Sequence, residues 1–129
     1  MAVLPHHPGL RVSIVSDDGT ALREYPDSDA EPSDKVISSY IEAKSGTGFG
    51  IRWELTSPWP VHTLLLYFYV DEEFVDAIYC DSNNYGRGTY ARTQTGATSV
   101  VNGQELLQKL AFAALDIGKY TAIMGTYSC

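Results

Sequence analysis

Cys80 and His62 carry the side chains that nucleophilic catalysis uses, a thiol and an imidazole to take its proton, on stretches expected to be neighbouring strands. A reactive thiol needs a helix N-terminus or a strand-to-helix elbow to lower its pKa, and the sequence around Cys80 offers neither. A small core residue is therefore the expectation for Cys80. Glu72, Glu73 and Asp76 are candidate paired carboxylates for glycoside hydrolysis, but a chain of 129 residues leaves little room for a deep, water-excluding cleft. They read instead as a solvated turn.

Metal chemistry needs clustered ligands. His6 and His7 stand far from His62, and neither H-x-x-x-H nor C-x-x-C spacing occurs. Asp27, Asp29 and Glu31 match the first three ligand positions of a calcium loop, yet Pro32 stands where the loop requires glycine and Ser38 where it requires glutamate. No metal and no cofactor are expected. Gly46, Gly48 and Gly50 alternate between two strand-like stretches, whereas a phosphate cradle would need a helix after its glycines. They are expected to turn the chain.

Binding chemistry has more candidates. Trp59 lies between Pro58 and Pro60, where a rigid aromatic either anchors a partner or plugs the end of the fold. Asn83, Asn84, Tyr85, Arg87, Tyr90 and Arg92 bring amides, phenols and guanidinium groups that hydrogen-bond and stack on sugars or protein edges, unless their loop is merely mobile.

The elements that must position these side chains read as strands. Leu10 to Val15 alternates, meets the turn signal Asp17-Asp18-Gly19-Thr20, and is expected to form a hairpin with Ala21 to Tyr25. Residues 17–34 hold seven acids against Arg23 and read as an acidic loop region. Val36 to Ala43 and Phe49 to Leu55 follow as strands, the latter with one wet face. His62 to Val70 is apolar at both parities, as in a central strand covered on two sides, and Phe74 to Cys80 returns beside it. Residues 81–103 form a polar loop with short extended pieces at 88–92 and 98–101. Over 104–114 a short helix and a strand are equally compatible, and a last strand is expected over Tyr120 to Tyr127. The sum is a mainly β, antiparallel β-sandwich, jelly-roll or immunoglobulin-like, forming one domain over 1–129.

A net charge of -7 and the lack of a basic stripe disfavour nucleic acid and anionic membrane as partners. Without a cationic start leading into an apolar run, and with no apolar stretch long enough to span a bilayer, a soluble, cytoplasmic chain with free thiols is expected.

The segments LRVSIV, SYIEAKSGTGFGIRW, LYFYVDEEFVDAIYC, NNYGRG and VVNGQELLQKLAFAALDIG together resemble a fungal domain family of unknown function over residues 9–118. Its members share a YIEA-x-SG hairpin, a VYVDG-like strand pair and a late F-x-F-x-x-L element. The resemblance implies a fungal source and a β-rich domain, moves Leu110 to Leu115 toward an extended reading, and carries over no catalytic or binding residue. This sequence departs from it at Glu72-Glu73, where the turn glycine usually stands. The functional expectation is a non-enzymatic module that binds a protein partner, or self-associates, through its loop end or a sheet edge. A cytoplasmic fungal lectin using the same loops on carbohydrate is the alternative, and a small hydrolase the third.

Overall fold

Period-two alternation in FGIRWEL buries Phe49, Trp53 and Leu55 on one face, and LRVSIVS lies beside it with Leu10 buried on that face and Val15 on the other. The computed structural model describes residues 2–3, 7–29, 36–59, 63–81, 88–112 and 126–128. Its strands are β1 (Leu10–Ser16), β2 (Glu24–Pro26), β3 (Ser39–Ile41), β4 (Phe49–Leu55), β5 (Leu64–Val70), β6 (Glu73–Cys80), β7 (Tyr90–Gln94), β8 (Gly96–Val101), β9 (Gln104–Lys109) and β10 (Thr126–Ser128). All pairings are antiparallel, in two three-stranded sheets, β1-β4-β7 and β10-β5-β6, and two two-stranded ribbons, β2-β3 and β8-β9. The mainly β, antiparallel expectation holds. Between 104 and 109 the chain is a strand and not a helix, because its register with β8 supplies backbone partners along its whole length.

Both three-stranded sheets feed one core. Leu10, Trp53 and Leu55 from β1 and β4 meet Leu64, Leu66, Phe68 and Cys80 from β5 and β6. Phe49 extends the packing sideways by stacking on Phe112, with ring centroids 4.5 Å apart.

Several local expectations change partner. The turn after β1 closes as expected, with the Ser16 N–H donating to the Thr20 carbonyl at 2.8 Å and Leu22 N–H to Ile14 O at 2.8 Å. There the hairpin stops. β1 instead runs its full length against β4, from Leu10 opposite Leu55 to Ser16 opposite Phe49. The acidic region turns away as β2 and pairs with β3, where Ser39 Oγ donates to Glu24 Oε1 at 3.0 Å and Tyr40 OH to Asp27 Oδ1 at 3.2 Å. In the β1 turn the Asp18 carboxylate accepts from Ser16 Oγ and from the Thr20 N–H, which hold its pKa down at about 2.

The glycine link between β3 and β4 is not a hairpin loop, since those strands lie in different sheets. Its backbone binds the segment after β9: Gly46 N–H donates to Phe112 O at 2.7 Å and Phe112 N–H to Thr47 O at 2.9 Å. A side chain at Gly48 would collide with the Asp17 carboxylate, and a carboxylate there repels the anion that a phosphate loop would hold. The glycines turn and dock the chain.

β5 is covered on one side only. Leu64, Leu66 and Phe68 are buried, while Tyr67 and Tyr69 face solvent, so the expectation of a strand buried on both faces is corrected. The polar segment 81–103, expected as a loop with short extended pieces, carries β7 and β8. Residues 113–125, which hold most of the expected last strand, lie outside the described residues.

Asp71 and Glu72, at φ 50° and 67°, form the two-residue turn between β5 and β6 in the left-handed region. Glycine there removes a backbone cost of about 1–2 kcal/mol and gives back part of it as unfolded-chain entropy. Glu72→Gly is therefore expected to raise the unfolding free energy by about 0.5–1 kcal/mol, read as a higher urea midpoint at unchanged slope.

Candidate functional site

Of the seven residues singled out for binding, Trp59, Tyr90 and Arg92 are described, and Asn83, Asn84, Tyr85 and Arg87 lie outside the described residues. Trp59 follows the cis Ser57–Pro58 bond and is half-buried against the core. Its loop is pinned where Thr56 N–H donates to Gly9 O at 2.8 Å, and a side chain at Gly9 would collide with the Thr56 and Pro58 carbonyls. This is the geometry of an end plug with part of its ring left to solvent.

Tyr90 and Arg92 sit on β7, not in a loop. Register places Tyr90 opposite Leu55 and Arg92 opposite Trp53, so both share the strand face that carries Trp53, with Tyr90 half-buried and Arg92 exposed. The Tyr90 ring packs on Trp53 at 5.4 Å, and the Arg92 guanidinium stands 4.6 Å over Tyr90. Next along this face, Gln94 Nε2 donates to Asp76 Oδ2 of β6 at 3.0 Å and to Gly96 O at 2.6 Å. Tyr90 and Gln94 thus cover the side of the core between the two sheets, and the exposed Arg92 lies over the Tyr90 ring.

Cys80 lies in that core with a free thiol, and burial first, then the charge of Asp81, pushes its pKa up to about 11 against a smaller opposing pull from Arg92. A thiol held neutral is no nucleophile at neutral pH. His62, its sequence-level partner, lies outside the described residues. Asp76 is held in the Gln94 contact and also accepts from the Ala77 N–H at 2.8 Å. No group of three or more His, Cys, Asp or Glu able to hold a metal occurs among the described residues.

A cluster of exposed aromatic side chains lies elsewhere. On the outer face of the β5-β6 pair, Tyr67, Tyr69, Phe74 and Tyr79 are 40%, 59%, 57% and 60% exposed. Phe74 meets Tyr69 edge-on at 5.7 Å and Tyr67 at 6.4 Å. Phe74 shares the parity of Asp76, Ile78 and Cys80, which point inward, and would join them were β6 regular. A bulge between Tyr69 and Phe68 leaves Val75 as the extra residue and turns Phe74 outward. The sequence signal was the tyrosines at 67 and 69, one parity of β5, although the bulge has no such signal.

The second exposed surface is the β8-β9 ribbon, which reaches close to β6. Asn102 and Gly103, at φ 52° and 77°, make its two-residue turn. Every residue of β9 is exposed, and Val100, Val101, Leu106 and Leu107 leave apolar side chains bare on both faces. Asn-Gly between apolar residues is a strong hairpin signal, and here it outweighs the polar composition around it.

These features fall within residues 9–124, the span matched by a family described as a domain of unknown function (DUF7918). The chain belongs to this family. No curated protein and no solved structure matches it. β1 to β9 all lie inside the matched span, so the core, the β7 edge and both exposed surfaces are parts of the family's domain.

Because its folded pKa is raised, Cys80 contributes stability that is present below the unfolded value of 9.0 and lost as pH rises toward about 11. In a Cys129→Ser background, which leaves Cys80 as the single thiol, the native protein should resist thiol reagents at pH 8 and react fully in urea, and Cys80→Ala should flatten the fall in stability between pH 9 and 11. Native labelling at the unfolded rate would overturn the assignment.

Proposed function

We propose that this domain is a non-enzymatic interaction module that binds a protein partner, or a second copy of itself, through its exposed apolar surface. The observation that carries this reading is the aromatic face of β5-β6, where three tyrosines and a phenylalanine are exposed over a well-packed core. Soluble monomers seldom leave contiguous apolar patches without a use, and tyrosine side chains give large contact area at low entropic cost. The raised pKa of Cys80 and the engagement of Asp76 in a structural contact argue against the hydrolase reading.

The tilt of the aromatic rings weighs against a lectin at this face. Phe74 stands at 69° to Tyr69 and 55° to Tyr67, which makes a notched surface for apolar side chains and not a flat platform for a sugar ring. Carbohydrate binding remains the alternative for the end of the fold that carries Trp59. The acidic charge favours a partner that is neither nucleic acid nor anionic lipid. A free, buried Cys80 fits a reducing, cytoplasmic setting, and the sequence resemblance supports a fungal source.

Affinity capture with immobilised wild-type domain and a Tyr69→Ser/Phe74→Ser variant, each with and without mixed free saccharides, tests this. Loss of two interface aromatics should weaken capture of a specific protein by roughly tenfold or more. Release by saccharide would transfer the reading to a lectin, and equal capture by both chains would remove the aromatic face from it.

A further inference from the structure

The exposed edge of β9 has a pattern that selects its own occupant. The two-residue turn at Asn102-Gly103 makes Val101 and Gln104 a hydrogen-bonded pair, and hydrogen-bonded and open pairs alternate from there down an antiparallel ribbon. The even-numbered residues of β9 therefore turn their backbone groups toward β8. The ribbon's base agrees, since Leu110 N–H donates to Thr95 O at 2.9 Å. Glu105, Leu107 and Lys109 consequently present their N–H and C=O groups at the other edge, where no described strand pairs with them.

Such an edge usually carries protection, in the form of proline, a bulge or charged side chains, and of these β9 has only Glu105 and Lys109, which are opposite in sign. β9 has no proline and no register shift, and its apolar residues face solvent on both sides. Its sequence, Gln104-Glu105-Leu106-Leu107-Gln108-Lys109, has a further property. Laid antiparallel on a second copy with Leu107 at the two-fold axis, it sets Glu105 opposite Lys109 of the other copy, twice, and Leu107 opposite Leu107. Backbone parity independently demands a register of this kind, because the outward-facing residues 105, 107 and 109 must meet one another. Moving the axis by half a residue would pair outward-facing positions with inward-facing ones, and moving it by a whole residue sets Leu107 opposite Glu105 or Lys109, which loses the ion pairs and leaves fewer outward-facing residues paired.

The geometry points to a symmetric dimer in which β9 of one copy pairs antiparallel with β9 of another, joining two ribbons into a four-stranded β8-β9-β9-β8 sheet. This rests on the interaction-module reading above and names its partner as a second copy of this chain. The contact is isologous, so it closes at two copies and does not run on into a fibre. On one face of the new sheet, Leu107 from both copies lies between the two ion pairs, with Val100 of each copy diagonal to its own Leu107. On the other face Leu106 meets Gln108 of the second copy.

Sedimentation equilibrium of the full chain over a wide concentration range, with circular dichroism and thermal melting to verify folding, tests the pairing. The wild-type chain should dimerise. Glu105→Lys or Lys109→Glu alone sets like charges opposite each other twice and should raise the dissociation constant by roughly tenfold. The double variant Glu105→Lys/Lys109→Glu should regain wild-type association, which an incidental loss of charge would not do. Leu107→Lys, with two cations on the axis, should be monomeric.

A wild-type monomer at every concentration overturns the proposal, as does a dimer indifferent to residues 105, 107 and 109. Loss of the dimer in Tyr69→Ser/Phe74→Ser in place of the β9 variants would move the contact to the aromatic face. A monomer that still captures a protein through that face would overturn self-pairing and leave the interaction module standing, whereas a monomer that captures nothing would sink both.

Discussion

Burial of the Trp53 indole is the constraint on which the rest of the structure depends. It is fully enclosed between the two three-stranded sheets, with Leu10 and Leu55 from its own sheet and Leu64, Leu66 and Phe68 from the other around it. Its Nε1 has no hydrogen-bond partner among the described residues, a desolvation cost of about 1–3 kcal/mol. Burying roughly 200 Å² of indole contributes about 5 kcal/mol, so the apolar gain wins. The orphaned N–H is tolerated because the ring cannot turn toward solvent without leaving that space.

Enclosing Trp53 sets the role of β7. As an edge strand it could have left the core open on one side, and half-buried Tyr90 and Gln94 cover it with a ring and an amide linked to Asp76 across the sheets, while Arg92 lies exposed over that ring. The same packing keeps Cys80 neutral and inert.

The surfaces left bare are those that the core does not need. β5 and β6 turn alternate residues outward, the bulge at Val75 adds Phe74 to them, and the β8-β9 ribbon extends with both faces exposed. Two-stranded ribbons are marginal on their own, so a ribbon with apolar residues on both faces gains most from a partner that extends its sheet. The acidic segment 17–34 holds seven of the sixteen acids, and Ser39 and Tyr40 bind two of them, Glu24 and Asp27.

Much of the strand content was legible in the sequence, because period-two burial leaves its mark in β1, β4 and β6 and turn chemistry brackets them. The glycine link was legible as a turn, since no helix followed it. What the sequence could not determine was pairing: β1 met β4 and not its neighbour in sequence, and the strands flanking the glycines entered different sheets. Pairing is decided by which apolar faces can enclose Trp53 together, a long-range property absent from any local window. For the same reason Tyr90 and Arg92 read as part of a loop, whereas they stand on a strand whose register sets Tyr90 against the core and leaves Arg92 exposed above it. The sequence by itself determined which stretches are extended and which residues are apolar. Only the tertiary structure decided which of them face water, because a single bulge or a change of partner strand reverses a side chain's face without altering its composition.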